Sequence, residues 1–181
     1  MNEPQNTKAK SIKPIQIRPI NDGDKAWVAA LLKEWWAGPR VVTRGRLHHP
    51  EELPGFIAEQ SGKPAGLITY RIDGKDCEIV TMNSLVEKIG IGSALIDAVK
   101  NAAISEGCKR LWLITTNDNT EALRFYQKYG LSLVAVHRNA IEQSRRLKPE
   151  IPLIGNNNIP IRDEIELEMI LGLTVFNQNN N

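Results

Sequence analysis

The chain contains few cysteines and few histidines, two and three respectively among 181 residues. Cys77 and Cys108 do not have the spacing of metal ligands. His48 and His49 are adjacent to each other, and His137 is remote from both. The sequence therefore predicts no metal site and no disulfide framework, and a reduced, cytoplasmic protein is the simplest interpretation.

Long apolar segments and an excess of one charge are also missing. The longest apolar run, residues 26–32, is far too short to span a bilayer. Residues 1–13 carry lysines without the apolar segment of a secretory signal. Lysine and arginine number 23 against 21 acidic residues, a formal charge of +2. Neither a nucleic acid nor a membrane is therefore expected as a partner.

Hydrophobic periodicity divides the chain into strands and helices. The predicted order is strand, helix, a polar connection over residues 41–54, a three-stranded antiparallel meander, a glycine turn, helix, strand, helix, strand, a long connection over residues 139–161 and a final strand. Residues 1–13 are interpreted as a disordered tail, residues 14–173 as one domain, and residues 174–181 as an Asn-rich tail.

The stretch from Ser84 to Ile96 joins a predicted strand to an amphipathic helix. Gly90 and Gly92 are two residues apart, so backbone N–H groups there can approach a ligand with no Cβ atoms in the way. The dipole and the unpaired N–H groups of a helix N-terminus point to the same place. The pattern predicts a phosphate or pyrophosphate site, and an ordinary strand-to-helix turn is the alternative.

A second motif occupies residues 117–131 and reads Asn-Asp-Asn-Thr-Glu-Ala-Leu-Arg-Phe-Tyr-Gln-Lys-Tyr-Gly-Leu. It is an Asn-capped helix that ends at Gly130. Together with Gly-Ile-Gly-Ser-Ala-Leu-Ile at residues 90–96, it resembles the two signatures of the GCN5-related N-acetyltransferase (GNAT) superfamily. The resemblance covers roughly residues 14–171. It implies an α/β fold with a single mixed, mostly antiparallel sheet of about six or seven strands and helices on both faces.

The resemblance also implies acetyl-CoA as the cofactor. The positions expected to bind it are Leu85, Val86, Lys88, Ile89, Gly90, Ile91, Gly92, Ser93 and Asn119. The sequence departs from the family pattern at Glu87, because Gln or Arg is usual three residues before the first glycine. Most phosphate contacts in the family come from backbone N–H groups, so the cofactor site is expected to survive this carboxylate, with Lys88 offsetting its charge.

Tyr126 and Glu78 are the expected catalytic residues. Tyr126 matches the family tyrosine that gives a proton to the CoA sulfur, and helix geometry rotates it by about 100° from Phe125, which is predicted to pack in the core. The alternative is a packed tyrosine with a local hydrogen bond. Glu78 lies at a strand position where some family members carry a general base, with a pKa raised by burial. The alternative is a carboxylate that faces solvent or pairs with a basic residue.

Strand alternation predicts which residues around Glu78 share a face. One face is expected to carry Ile79, Thr81, Asn83 and Leu85, and the other Glu78, Val80, Met82 and Ser84.

Two further segments allow more than one interpretation. The connection over residues 41–54 carries Arg44, Arg46 and His48, which fit either a solvated loop or a clamp over a substrate. Trp35 and Trp36 end the first helix, either as a core anchor with an exposed neighbour or as an aromatic wall of a binding site.

These features predict an N-acetyltransferase that transfers the acetyl group of acetyl-CoA to a primary amine of a small molecule or peptide by direct attack. A non-catalytic acyl-CoA-binding regulatory module and an acyltransferase for longer acyl chains are the other interpretations. A homodimer is left open, because the connection over residues 138–160 fits either a dimer contact or a cover of the acceptor cleft.

Overall fold

The computed structural model describes residues 14–36 and 38–172. The two predicted tails, residues 1–13 and 174–181, lie outside the described residues. The helices and strands are β1 (Ile15–Pro19), α1 (Lys25–Trp35), β2 (Val41–Thr43), β3 (Arg46–His48), β4 (Gly55–Gln60), β5 (Lys63–Asp73), β6 (Asp76–Ser84), α2 (Ile91–Ser105), β7 (Arg110–Thr116), α3 (Thr120–Tyr129), β8 (Ser132–His137), α4 (Ala140–Leu147) and β9 (Glu164–Ile170). In the described residues, no helix has the combination of length and hydrophobicity that a bilayer-spanning helix needs.

Seven of the strands form one mixed sheet in the order β1-β4-β5-β6-β7-β9-β8. Every neighbouring pair is antiparallel except β6 and β7. The predicted α/β architecture with a mostly antiparallel sheet is confirmed. The predicted connection over residues 41–54 instead contains the antiparallel hairpin of β2 and β3. Its turn is Arg44-Gly45, with φ of 50° and 70°, the backbone that a two-residue hairpin turn requires.

Helices cover both faces of the sheet. Successive strand residues point to opposite faces, and Ile57 packs with α1 while Ala58 packs with α2. The buried residues of α1 are Val28, Leu31 and Leu32, and the Trp35 side chain is 54% exposed.

A bulge in β6 changes the predicted faces of that strand. Thr69 of β5 pairs with Thr81 and Tyr70 pairs with Ile79, so Val80 is the extra residue between them. Ile79 packs in the core beneath α2, whereas Asn83 accepts a hydrogen bond from Trp36 on the side of α1. The prediction that Ile79 and Asn83 share a face was wrong, because a bulge shifts the two-residue alternation by one place.

The bulge also marks the point where β6 and β7 separate. Their parallel pairing extends from Asp76 and Arg110 to Ile79 and Leu113. Beyond it, β6 continues beside β5 and β7 continues beside β9. The separated strand ends leave a gap in the middle of the sheet.

Candidate active site

A cleft of about 1010 Å³ opens where β6 and β7 separate. One half, here called the glycine-turn half, is formed by the turn before α2 and by α3. Its residues include Lys88, Gly90, Ile91, Gly92, Ser93, Asn119 and Tyr126. The other half, called the hairpin half, is formed by the end of α1, the β2–β3 hairpin, α4 and β9. Its residues include Trp36, Thr43, Ile141, Lys148, Ile161 and Glu164.

The glycine-turn half presents four consecutive backbone N–H groups. Those of Gly90, Ile91, Gly92 and Ser93 donate to no backbone or side-chain acceptor in the described chain. Gly90 has a φ of 90°, which lets the chain enter α2 without a side chain over the turn. Unpaired N–H groups at the start of a fifteen-residue helix form a site for an anion such as a pyrophosphate.

Three of the predicted cofactor-binding residues do not line the cleft. The backbone N–H of Leu85 donates to Ala65 of β5, and the Ile89 side chain packs against the core. The Val86 side chain is exposed, and its carbonyl oxygen accepts a hydrogen bond from Ser84. The strand end turns away from the cleft at these positions, and the other six predicted residues line it.

Glu87 and Asn119 lie at the rim and on the wall of this half. The Glu87 side chain is exposed, lines the cleft and makes no ion pair with a described residue, Lys88 included. Asn119 caps α3, and its Oδ1 accepts the N–H of Ala122 at 3.2 Å.

Tyr126 belongs both to the core and to the cleft. It is the one buried residue of α3, at 8% exposure, and Phe125 packs against the same core cluster, as predicted. Burial raises the pKa of the Tyr126 phenol, which keeps it protonated at neutral pH. Its side chain lines the cleft, and its hydroxyl makes no hydrogen bond to any other described residue.

The hairpin brings Thr43 against Glu78. The Thr43 hydroxyl lies 2.5 Å from Glu78 Oε1 and donates to it, and it lies 2.8 Å from His48 Nε2. Glu78 is 3% exposed, and burial raises its pKa, opposed by the Thr43 hydrogen bond and the charge of Arg71. Glu78 does not line the large cleft, although Thr43 does. It lines a second cavity of about 290 Å³ behind Thr43, next to Arg46.

The basic side chains of residues 41–54 do not form a clamp over the large cleft. Trp35 and Trp36, in contrast, do form part of its wall. Arg44 forms an ion pair with Glu166 at 2.6 Å, and Arg46 and His48 do not line the large cleft. Trp35 and Trp36 both line the hairpin half. The aromatic-wall interpretation is therefore the one that the geometry favours.

The burial of His48 predicts a pH-dependent stability. Desolvation lowers its pKa from 6.5 to about 4, so the unfolded chain binds a proton between these pH values that the folded chain does not. The free energy of unfolding should therefore fall as the pH falls from 6.5 to 4, by about 2–3 kcal/mol from this group. Urea unfolding at several pH values measures the slope.

The matched variant for this prediction is His48→Gln, which does not titrate and still offers a donor to Thr43. Glu78 has a raised pKa and contributes a slope of opposite sign, but it is present in both proteins. The difference between the two slopes should isolate His48. Equal slopes in the two proteins would show that His48 has an ordinary pKa.

Sequence reasoning missed two charged residues of the hairpin half, Glu164 and Lys148. Glu164 is 1% exposed and lies at the start of a strand in which polar and apolar residues alternate regularly. In such a strand the sequence does not distinguish a buried glutamate from an exposed one. The Lys148 ammonium donates to the carbonyl oxygens of Trp36 and Arg40, and burial lowers its pKa. The only available signal was the length of the connection over residues 139–161, which forms part of the cleft wall.

Comparison with known proteins agrees with this geometry. The model of the Acetyltransferase (GNAT) family matches residues 18–131. The uncharacterized protein YdhI of Bacillus subtilis strain 168 is 44% identical over 156 residues, which are 86% of this chain and 98% of YdhI. The uncharacterized protein YxbD of the same strain is 40% identical over 154 residues, which are 84% of this chain and 97% of YxbD.

Solved structures share the fold at lower identity. A GNAT family acetyltransferase from Elizabethkingia anophelis, with acetyl-CoA bound, superposes with a TM-score of 0.64 at 22% identity over 87% of this chain and 98% of its own. A Bacillus subtilis acetyltransferase in complex with CoA has a TM-score of 0.61 at 18% identity, over 87% of this chain and 97% of its own. Both sequence motifs occur in the family order, and the strands β6 and β7 separate beside the first motif. The family model also matches most of the strands of the sheet. The chain therefore belongs to the GNAT acetyltransferase family.

Proposed function

We propose that this protein transfers the acetyl group of acetyl-CoA to a primary amine by direct attack. The observation that carries the proposal is the convergence of four free backbone N–H groups and the Tyr126 side chain on one cleft. The N–H groups suit a pyrophosphate, and the tyrosine is a protonated group without another described partner. Two relatives of the same fold were solved with acetyl-CoA or CoA bound.

The backbone from Gly90 to Ser93 would hold the pyrophosphate, and Lys88 and Asn119 would lie beside it. When it is bound, acetyl-CoA supplies a thioester carbonyl that is open to attack by an amine. The separated ends of β6 and β7 leave room for the chain that joins the pyrophosphate to this thioester, between the two halves of the cleft.

Glu78 acts as the base through Thr43 in this proposal. An acceptor amine enters as an ammonium and must lose a proton before it can attack. One N–H bond of the amine breaks, its proton passes to the Thr43 oxygen, and the Thr43 proton passes to Glu78 Oε1. The raised pKa of Glu78 strengthens it as a base near neutral pH.

Tyr126 completes the transfer as the acid. The nitrogen forms a bond to the carbonyl carbon, the carbon–sulfur bond breaks, and the Tyr126 hydroxyl gives its proton to the leaving sulfur. The second proton lost by the nitrogen restores the tyrosine, and the proton on Glu78 passes to solvent. One amide, one thiol and one proton are the products.

The test is the release of the CoA thiol with a panel of primary amines. We expect release that requires an amine, and a fall in kcat of about 100-fold in Glu78→Gln, whose amide oxygen still accepts from Thr43. If acetyl-CoA binds but no amine leads to release of the CoA thiol, the protein would be a regulatory module that binds acyl-CoA and not an enzyme. Faster turnover with octanoyl-CoA would contradict the choice of acetyl.

A further inference from the structure

Glu164 is a deeply buried carboxylate in the wall of the cleft. It is 1% exposed and lies at the first position of β9. Its Oε1 accepts the Ser144 hydroxyl of α4 at 3.0 Å, and its Oε2 accepts the backbone N–H of Arg44 at 3.0 Å. Both donors are neutral, and each carboxylate oxygen keeps room for another hydrogen bond.

The charge of Glu164 is not neutralised by the part of the chain that the structure describes. Glu166, two places along the same strand, pairs with Arg44, Arg110 and His137. Glu78 lies 3.5 Å from Arg71. For Glu164, in contrast, no Lys, Arg or His nitrogen of the described residues lies within ion-pair distance. A buried carboxylate without a cation is costly, so this position is suited to a cation that enters the cleft.

Apolar side chains form much of the hairpin half in which Glu164 lies. Trp36, Ile141, Ile151 and Ile161 line the same half of the cleft. Lys148 also lines it, but its ammonium donates to the carbonyl oxygens of two residues next to α1. A ligand of this half therefore meets one carboxylate without an ion-pair partner, and one ammonium that is already bound to two carbonyl oxygens, within hydrophobic and aromatic walls.

We propose that Glu164 binds the ammonium group of the acceptor, and that the acceptor is a primary amine with a hydrophobic or aromatic body. This inference rests on the proposed acetyl transfer. Thr43 and Arg44 are adjacent in the hairpin, and they bond to Glu78 and Glu164 respectively. An ammonium held by Glu164 therefore lies close to the Thr43 hydroxyl, where its proton is removed toward Glu78. Glu164 itself binds and orients the amine.

The first experiment uses the wild-type protein and needs no turnover. We expect 2-phenylethylamine to bind at least about 10-fold more tightly than 2-phenylethanol, because the alcohol has the same body without the charge. Isothermal titration calorimetry without acetyl-CoA measures both. Equal affinity for the two compounds, or tighter binding of spermidine than of 2-phenylethylamine, would overturn the proposed acceptor class.

The second experiment uses Glu164→Gln. The amide oxygen can accept from the Arg44 N–H and the amide NH₂ can donate to Ser144, so both internal hydrogen bonds are kept while the charge is removed. We expect the affinity for 2-phenylethylamine to fall about 10- to 100-fold and the preference over 2-phenylethanol to disappear. The thermal shift produced by acetyl-CoA should be unchanged.

Glu168→Gln is the matched control, since Glu168 lies on the same strand face, pairs with Arg110 and is not among the cleft residues. It should keep wild-type affinity for the amine. If Glu164→Gln keeps its affinity for the amine, or if Glu168→Gln loses as much affinity as Glu164→Gln, Glu164 does not bind the acceptor. Absence of the acetyl-CoA shift in the wild-type protein would instead contradict the proposed reaction, while the amine titrations would still decide the role of Glu164.

Discussion

Replacement of Gly92 by Asp is expected to abolish the binding of acetyl-CoA. A Cβ atom at Gly92 would lie 2.9 Å from Phe125 Cζ, closer than normal contact, and a carboxylate there would lie among the N–H groups that would receive the pyrophosphate. Acetyl-CoA at about 100 times its Kd should stabilise the wild-type protein by about 2.7 kcal/mol. The variant should show no shift in Tm with the same ligand.

Gly92→Ala separates crowding from charge in this prediction. It introduces the same contact with Phe125 without a carboxylate, so any shift that survives in Gly92→Ala and disappears in Gly92→Asp reports repulsion of the phosphates. Both variants are compared with wild type by thermal unfolding with and without ligand. A full shift in Gly92→Asp would show that acetyl-CoA does not use the N-terminus of α2.

Tyr126→Phe should lower kcat by about 100-fold while leaving the Kd of acetyl-CoA nearly unchanged. The ring that packs in the core is kept, and only the hydroxyl that supplies the proton is removed. Because this hydroxyl has no hydrogen bond to another described residue, its loss should change the free energy of unfolding by less than about 1 kcal/mol. Steady-state kinetics and urea unfolding of the same preparation test both statements.

Tyr70→Phe is the control for the loss of a phenolic hydroxyl. Tyr70 stacks on Phe56 with ring centroids 6.0 Å apart and lies in β5, away from the cleft lining. Its removal should leave kcat near the wild-type value. An unchanged kcat in Tyr126→Phe would instead indicate a tyrosine that serves packing alone, and another group would have to protonate the sulfur.

The glycine turn and the α3 motif were predictable because their signals are local. Gly90 and Gly130 have the positive φ values that their positions before and after a helix suggested. The Asn119 side chain caps α3, as a polar residue at a helix start should. Each depends on residues within a few places in the sequence, so a single sequence is enough to recognise it.

The face assignment in β6 failed for a different reason. The bulge at Val80 depends on the register between β5 and β6, and no residue type within β6 indicates its position. Register is set by the pairing of two whole strands, so a pattern within one strand does not specify it.

The amino-acid sequence was sufficient to recognise the family, the order of the strands and helices apart from the β2–β3 hairpin and α4, the turn before α2 and the position of Tyr126 in α3. The residues of the hairpin half could be identified only from the folded structure. Thr43, Lys148 and Glu164 come from a hairpin, a long connection and the last strand, and they line one cleft beside the separated ends of β6 and β7. Contacts between residues so far apart in the chain depend on the path of every element between them, and no short pattern of residue types specifies that path.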